Sequence, residues 1–211
     1  MAVRTGGFPA CRKPAVHEFP PGALVERTSK CRRTPRCSPG IDGNELLLGL
    51  KAQSMLIIGN GGHAKVVREA VRALGNEYRG VFIAVGDNDS RKHEAEARPR
   101  DLFPVLIHPA ASVAAGACIE GGTLICAGAV IDPAVTIGKH VIVNAGAVIT
   151  HDCVIGDYAH IAPGVHLCGG VKVGEGALIG VGSCAIPGAE VPAWSVVPAG
   201  SVIRGLWTPT K

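Results

Sequence analysis

Between Ile107 and Ile203 every sixth residue is apolar, seventeen positions without an exception, beginning Ile107, Val113, Ile119 and ending Val191, Val197, Ile203. The residue four places after each is small or β-branched, from Ala111 to Ser201. Neither an α-helix, with its 3.6-residue turn, nor a long strand, with its two-residue alternation, keeps such a period. A short strand plus a tight corner uses about six residues, and three such sides close a triangle of roughly eighteen residues. The aliphatic side chain then fills the middle of a prism, the small one fits close to the corner, and Gly, Asp and Pro make the turns. Sixteen hexads predict about five coils, rising ~4.8 Å each. No hexad is interrupted, so no long excursion loop is expected. Composition fits a narrow core of Val, Ile and Ala: there are 29 glycines, and aromatic residues make up only 4%.

Around this coil the 211 residues divide into four parts. Residues 1–54 are rich in Pro, Arg and Cys, have little hydrophobic periodicity, and read as a disordered extension. Met1 and Met55 are the two methionines, and the first convincing strand begins at Met55. Met55 is therefore read as the natural start, with a flexible tail as the alternative. Residues 55–106 read as a small α/β unit with a strand at Met55–Ile58, a turn over Gly59–Gly62 and a helix from about His63 to Leu74. A strand at Val81–Val85, a charged helix around Ser90–Ala97 and a third short strand near Val105 follow. The coil occupies 107–203, and 204–211 form a short tail.

Several function classes lose support. Residues 1–54 hold nine Lys/Arg against four Asp/Glu, leaving twelve against thirteen elsewhere, so the folded part has no basic stripe for nucleic acid. No run of 18 apolar residues suggests a membrane span. The eight cysteines form no CxxC pair and suit neither a zinc site nor a disulfide scaffold, which fits a reducing cytoplasm and no metal.

The motifs narrow the family. A strand followed by Gly59-Asn60-Gly61-Gly62-His63-Ala64-Lys65-Val66-Val67, then Phe82-Ile83-Ala84-Val85-Gly86-Asp87-Asn88, then Leu106-Ile107-His108-Pro109, leads to the run from Val143 to Asp157 that contains Asn144-Ala145-Gly146 and Thr150-His151-Asp152-Cys153. Together these resemble the NeuD/PglD-type sugar acetyltransferases over residues 55–203. The resemblance implies a mainly β chain, a left-handed parallel β-helix of hexapeptide repeats preceded by a truncated Rossmann-like nucleotide-sugar-binding unit. The handedness comes from the family, since general crossover rules give the opposite. It further implies a homotrimer moving acetyl from acetyl-CoA to an amino or hydroxyl group of a nucleotide-linked amino sugar or sialic acid, a small-molecule acceptor. His151 falls at the base, Asp152 at its acidic neighbour and His160 near the thioester. Val181 and Ala199 fall at main-chain contacts to the coenzyme, and Gly61, Gly62, His63 and Asn144 at the acceptor. Two departures stand out. The stretch between Val67 and Val81 is shorter than the family's, and the chain ends at Arg204–Lys211 without the usual basic tail.

Read as residues, the same positions make chemical sense. Acetyl transfer needs a base near neutral pKa, and imidazole supplies it. His151 takes the third place of its hexad, at an outward corner, where it is either that base or a solvated histidine. Asp152 would fix its tautomer. Gly169, one coil on, is expected to leave room for substrate beside the ring. His160, half a coil further, belongs on the opposite face, so a shared site requires neighbouring subunits. The turn at Gly59–Ala64 is a loose dinucleotide fingerprint at a helix N-terminus. The acid expected about twenty residues on is missing near Arg79–Val81, which argues against NAD. His63 either touches a sugar nucleotide or merely begins the helix. Cys153 holds an inward position and reads as core, so direct transfer in a ternary complex is expected, without an acyl-enzyme. Two other functions remain open on this coil: a non-catalytic trimeric scaffold and a γ-carbonic-anhydrase-like zinc enzyme. The histidines at 140, 151, 160 and 166 lack the latter's five-residue step.

Overall fold

A computed structural model describes residues 55–75 and 79–208; the readings of residues 1–54 as an extension and of Met55 as the start concern a segment outside the described residues. Strand β1 (Leu56–Ile58), helix α1 (Gly62–Ala73), strand β2 (Val81–Ile83) and helix α2 (Asn88–Glu96) precede the coil. The coil comprises seventeen two-residue strands at six-residue steps, from β3 (Leu106–Ile107) to β19 (Val202–Ile203). They stack into three parallel sheets of six, five and six strands. Each residue pairs with the one eighteen later, as in Leu106 with Leu124 and His160 with Leu178. One turn of a triangular prism therefore consumes three hexads, as the period requires.

Three faces can be named by the outward residue of each strand. Face 1 carries Leu106, Leu124, Ile142, His160, Leu178 and Val196 in a column. Face 2 runs from Ser112 to Val202, and face 3 from Cys118 to Glu190. The expected aliphatic positions point inward and are buried from Ile125 onward, packed with the small residues that follow them. Burying one such side chain contributes about 1.5–3 kcal/mol. Polar residues at the small positions bind the coils together: Thr123 Oγ1 donates to Gly138 O (2.8 Å) and accepts from Val141 N (3.0 Å). At the corners, the residue three after each aliphatic one is left-handed from Gly122 to Gly200, and Asp152 (φ 61°) and His140 (φ 53°) occupy such corners without being glycine.

The small unit differs from expectation in one respect. Its sheet has two strands, β1 and β2, paired in parallel, and the third strand expected near Val105 is β3, which joins the prism by pairing with Leu124 and Ile125. Alternation alone could not separate these outcomes, because a short apolar run serves either sheet; the eighteen-residue register decides. Helix α1 buries Ala64, Val67, Ala70 and Val71 against Phe82, Ala84, Leu106, Leu124 and Cys126, so the unit sits on the first coils of face 1. Gly59 (φ 123°) is needed where β1 turns toward α1, since a Cβ there would lie 2.6 Å from Ala84 O. Leu206 and Trp207 cap the last coil. Trp207 N donates to Glu190 O (2.7 Å), and its ring packs on the prism core.

Candidate active site

The corner between faces 2 and 3 carries His151 and Asp152. Strand β10 (Val148–Ile149) ends just before it, and β11 (Val154–Ile155) begins just after. Left-handed geometry at Asp152 folds its carboxylate back, so that Oδ2 lies 2.8 Å from His151 Nδ1. The two side chains are 66% and 67% exposed, so the ring is available to a partner from outside this chain. Holding Nδ1 against a carboxylate places the proton there and leaves Nε2 as an acceptor. The space expected beside the ring at Gly169 is instead filled by the ring itself. A Cβ at 169 would lie 2.5 Å from His151 Cε1 and 2.7 Å from Nε2.

Face 1 is opposite that corner, and it carries the second group of sites. His160 starts β12 (His160–Ile161), the fourth strand of the face and the first outward residue the small unit leaves partly open. Asn144 Oδ1 accepts from Ala145 N (2.8 Å), which turns Nδ2 toward His160 Nε2 at 3.3 Å. His160 Nε2 is then the acceptor, and its Nδ1–H is left as a donor. Burial first, then the Arg91 guanidinium and His63, push the His160 imidazole down to about 4, so it is neutral near pH 7. His63 behaves alike: burial, then Arg91, push it down to about 4, and its Nε2 is buried without a partner.

Two adjoining cavities connect these groups. One, of ≈ 320 Å³, lies over the N-terminus of α1 between Gly59–His63 and Ala84–Gly86. Its free amides, with Gly61 as an N-cap that makes no side-chain bond, suit an anion. The other, of ≈ 200 Å³, is bounded by Gly86–Asp89, His160, Leu178, Trp194 and Val196. Gly86 borders both. The fold thus brings Gly61, Gly62, His63, Asn144 and His160 into one neighbourhood on face 1. It sets His151 and Asp152 apart from them. Val181, 54% exposed, and Ala199, also exposed, stack one coil apart on the corner between faces 1 and 2.

Arg91 is the residue that sequence reasoning missed. Only 1% exposed, it donates from Nε to His140 O (2.8 Å) and from Nη2 to Tyr158 O (2.6 Å) and Asn88 Oδ1 (2.8 Å). Its Nη1 reaches Val85 O and Gly86 O, both at 3.1 Å. Asn88 Nδ2 in turn donates to Gly176 O (3.0 Å). This fork ties the wall of both cavities to the prism, and burial pushes the guanidinium down to about 10, still charged near pH 7. The available signal was an Asn and an Arg one helical turn apart in the first turn of an otherwise polar helix.

Cys153 is buried in the core, and burial pushes its thiol up, which disfavours the thiolate a nucleophile needs. Among the described residues no group of three or more His, Cys, Asp or Glu is placed to hold a metal ion, and no helix is long and apolar enough to cross a membrane.

A three-faced coil with a histidine–carboxylate corner defines the class, the hexapeptide-repeat transferases. The family model described as bacterial transferase hexapeptide (six repeats) matches residues 134–169 and 152–184. Among solved structures, the acetyltransferase domain of PglB from Neisseria gonorrhoeae FA1090, in complex with acetyl coenzyme A, is 33% identical over 72% of this chain and 90% of its own, with a TM-score of 0.68. PerB from Caulobacter crescentus, in complex with CoA and GDP-perosamine, is 34% identical over 74% and 91%, with a TM-score of 0.70. WeeI from Acinetobacter baumannii AYE, 24% identical over 71% and 96% with a TM-score of 0.53, shares the fold. No curated protein sequence matches the chain. The chain belongs to the NeuD/PglD-type sugar acetyltransferases, with a left-handed β-helix, and is an acyltransferase.

Proposed function

We propose that this protein acetylates a nucleotide-linked amino sugar or a sialic acid from acetyl-CoA, as a cytoplasmic homotrimer, with His151 as general base. The observation that carries this reading is the 2.8 Å contact between His151 Nδ1 and Asp152 on an open corner. An acceptor amine or hydroxyl attacks the thioester carbonyl carbon while His151 Nε2 takes its proton. The tetrahedral intermediate then expels the CoA thiolate, and the imidazolium returns the proton to give the free thiol. His160, neutral and with Nδ1–H free, donates to the thioester oxygen. The main chain at Val181 and Ala199 holds the pantetheine arm. The amides of Gly61, Gly62 and His63 at the start of α1 receive the acceptor's phosphates, and Asn144 orients His160 beside its sugar.

The complexes of PglB with acetyl coenzyme A and of PerB with CoA and GDP-perosamine support this pairing of ligands. Separation of His151 from His160 across the prism supports a site completed between subunits. Thiol release from acetyl-CoA against a panel of nucleotide-linked amino sugars and free sialic acids tests the reaction; a trimeric scaffold without catalysis would release none. Co-refolding His151→Ala with His160→Ala tests the shared site. Each variant alone is expected to be nearly inactive, and random mixed trimers should recover roughly one quarter of the sites. Mixed trimers no more active than their parents, with chain exchange confirmed by mass spectrometry, would reject it.

A further inference from the structure

The corner that holds His151 stacks Pro133, His151, Gly169 and Pro187 at eighteen-residue intervals. Between Pro133 and Pro187 only 169 lacks a side-chain carbon, and the His151 ring occupies that gap. A Cβ on Gly169 would meet the ring along the edge that includes Nε2 (2.7 Å), Cε1 (2.5 Å) and Nδ1 (3.1 Å), where real Cβ contacts are wider. That edge holds both nitrogens: Nδ1 is bound to Asp152, and Nε2 is the acceptor of the proposed reaction. Backbone conformation does not demand glycine here, since φ at 169 lies outside the left-handed region, unlike that at Gly170 (φ 70°). Nor does the prism core, because the third place of a hexad faces outward. The three atoms nearest to a Cβ at 169 all belong to the imidazole.

We infer that Gly169 is a positioning residue for the base: its missing side chain is the ledge on which the His151 ring lies, and it fixes where Nε2 meets the acceptor. The inference rests on the proposed role of His151. A methyl group at 169 must lift the ring away from the corner, lengthen or break the Nδ1 contact to Asp152, and move Nε2 by an ångström or so. A displacement of that size costs a positioned group up to roughly 100-fold in rate.

The experiment compares Gly169→Ala with Gly116→Ala and His151→Ala in the full chain. Gly116 is also a prism-corner glycine of ordinary φ, but a Cβ there meets nothing closer than 3.8 Å. Gly169→Ala is expected to lower kcat roughly 10- to 100-fold, leave KM for acetyl-CoA and acceptor within about twofold, and melt within a few degrees of Gly116→Ala. In nitrogen-15 NMR the His151 ring should lose its single Nδ1–H tautomer in Gly169→Ala and keep it in Gly116→Ala. Wild-type kcat in Gly169→Ala beside an inactive His151→Ala would overturn the ledge and leave the base standing. Activity surviving in His151→Ala would remove the base, and the ledge with it. A fall in kcat matched by a fall in melting temperature, with the tautomer unchanged, would make Gly169 a packing glycine and also overturn the inference.

Discussion

His140 and His151 are both corner histidines whose rings lie over a glycine one coil away, Gly122 for the first and Gly169 for the second. Their surroundings make them opposites. His140 is 4% exposed, stacked on Tyr158 with centroids 5.4 Å apart and met edge-on by Phe103 at 4.6 Å, and its Nδ1 has no partner. Burial first, then the Arg91 and Lys139 charges, hold it down to about 4 against the opposing pull of Asp157. There the imidazole is a flat, neutral filler between the small unit and the prism. His151 stands in solvent with a carboxylate on one nitrogen. A ring lying over a corner glycine does not make a base; an acidic partner and an open approach do.

The largest contrast is expected in turnover. His151→Ala should lower kcat roughly 100-fold or more while barely moving the melting temperature, whereas His140→Ala should leave turnover within about twofold. Equal losses from both would collapse the distinction.

Stability should show the reverse. His140→Ala opens a cavity between Phe103 and Tyr158 and is expected to cost about 2–4 kcal/mol in denaturant unfolding. His151→Ala, with 66% of its side chain exposed, should cost little. A His140→Ala variant as stable as wild type would show that the ring fills nothing.

pH separates the two corners by another route. His63, His140 and His160 are held down to about 4 in the folded chain against 6.5 for a free imidazole. Between those values the unfolded chain binds protons that the folded one refuses, so stability is full above about pH 6.5 and falls as pH drops toward about 4. Melting curves across that window are expected to slope downward in acid and to slope less in His140→Ala. A flat profile would place these rings in solvent.

The smallest expected effect is that of Asp152→Asn. Asparagine tolerates the left-handed corner and keeps the shape, but it removes the charge that orients His151. Because the pair is exposed and screened by solvent, the loss in kcat should be about tenfold, well short of that from His151→Ala. A loss as large as the base's own would give Asp152 a role beyond orientation.

Much of this was legible in the residues. The hexad period exposed the inward columns because each coil repeats the same side-chain geometry, and the pairings at eighteen-residue intervals follow from it. The His151–Asp152 pair was legible because its members are neighbours at a corner. Arg91 was not, since its prism partners are the carbonyls of His140 and Tyr158, 49 and 67 residues away, and every residue has a carbonyl. Nor was the role of Leu206 and Trp207 in closing the last coil, which depends on where the prism ends.

By itself, then, the sequence determined the coil, its face count and the local dyad, because a repeating pattern of volume and turn residues closes a triangle every eighteen residues, whichever its hand. Tertiary structure alone decided that β3 joins the prism, that His63, Asn144 and His160 gather on face 1, and that Gly169 is filled by a ring. Those outcomes depend on which surfaces are left in contact after the coil has closed, and such distances in space leave no period in the chain.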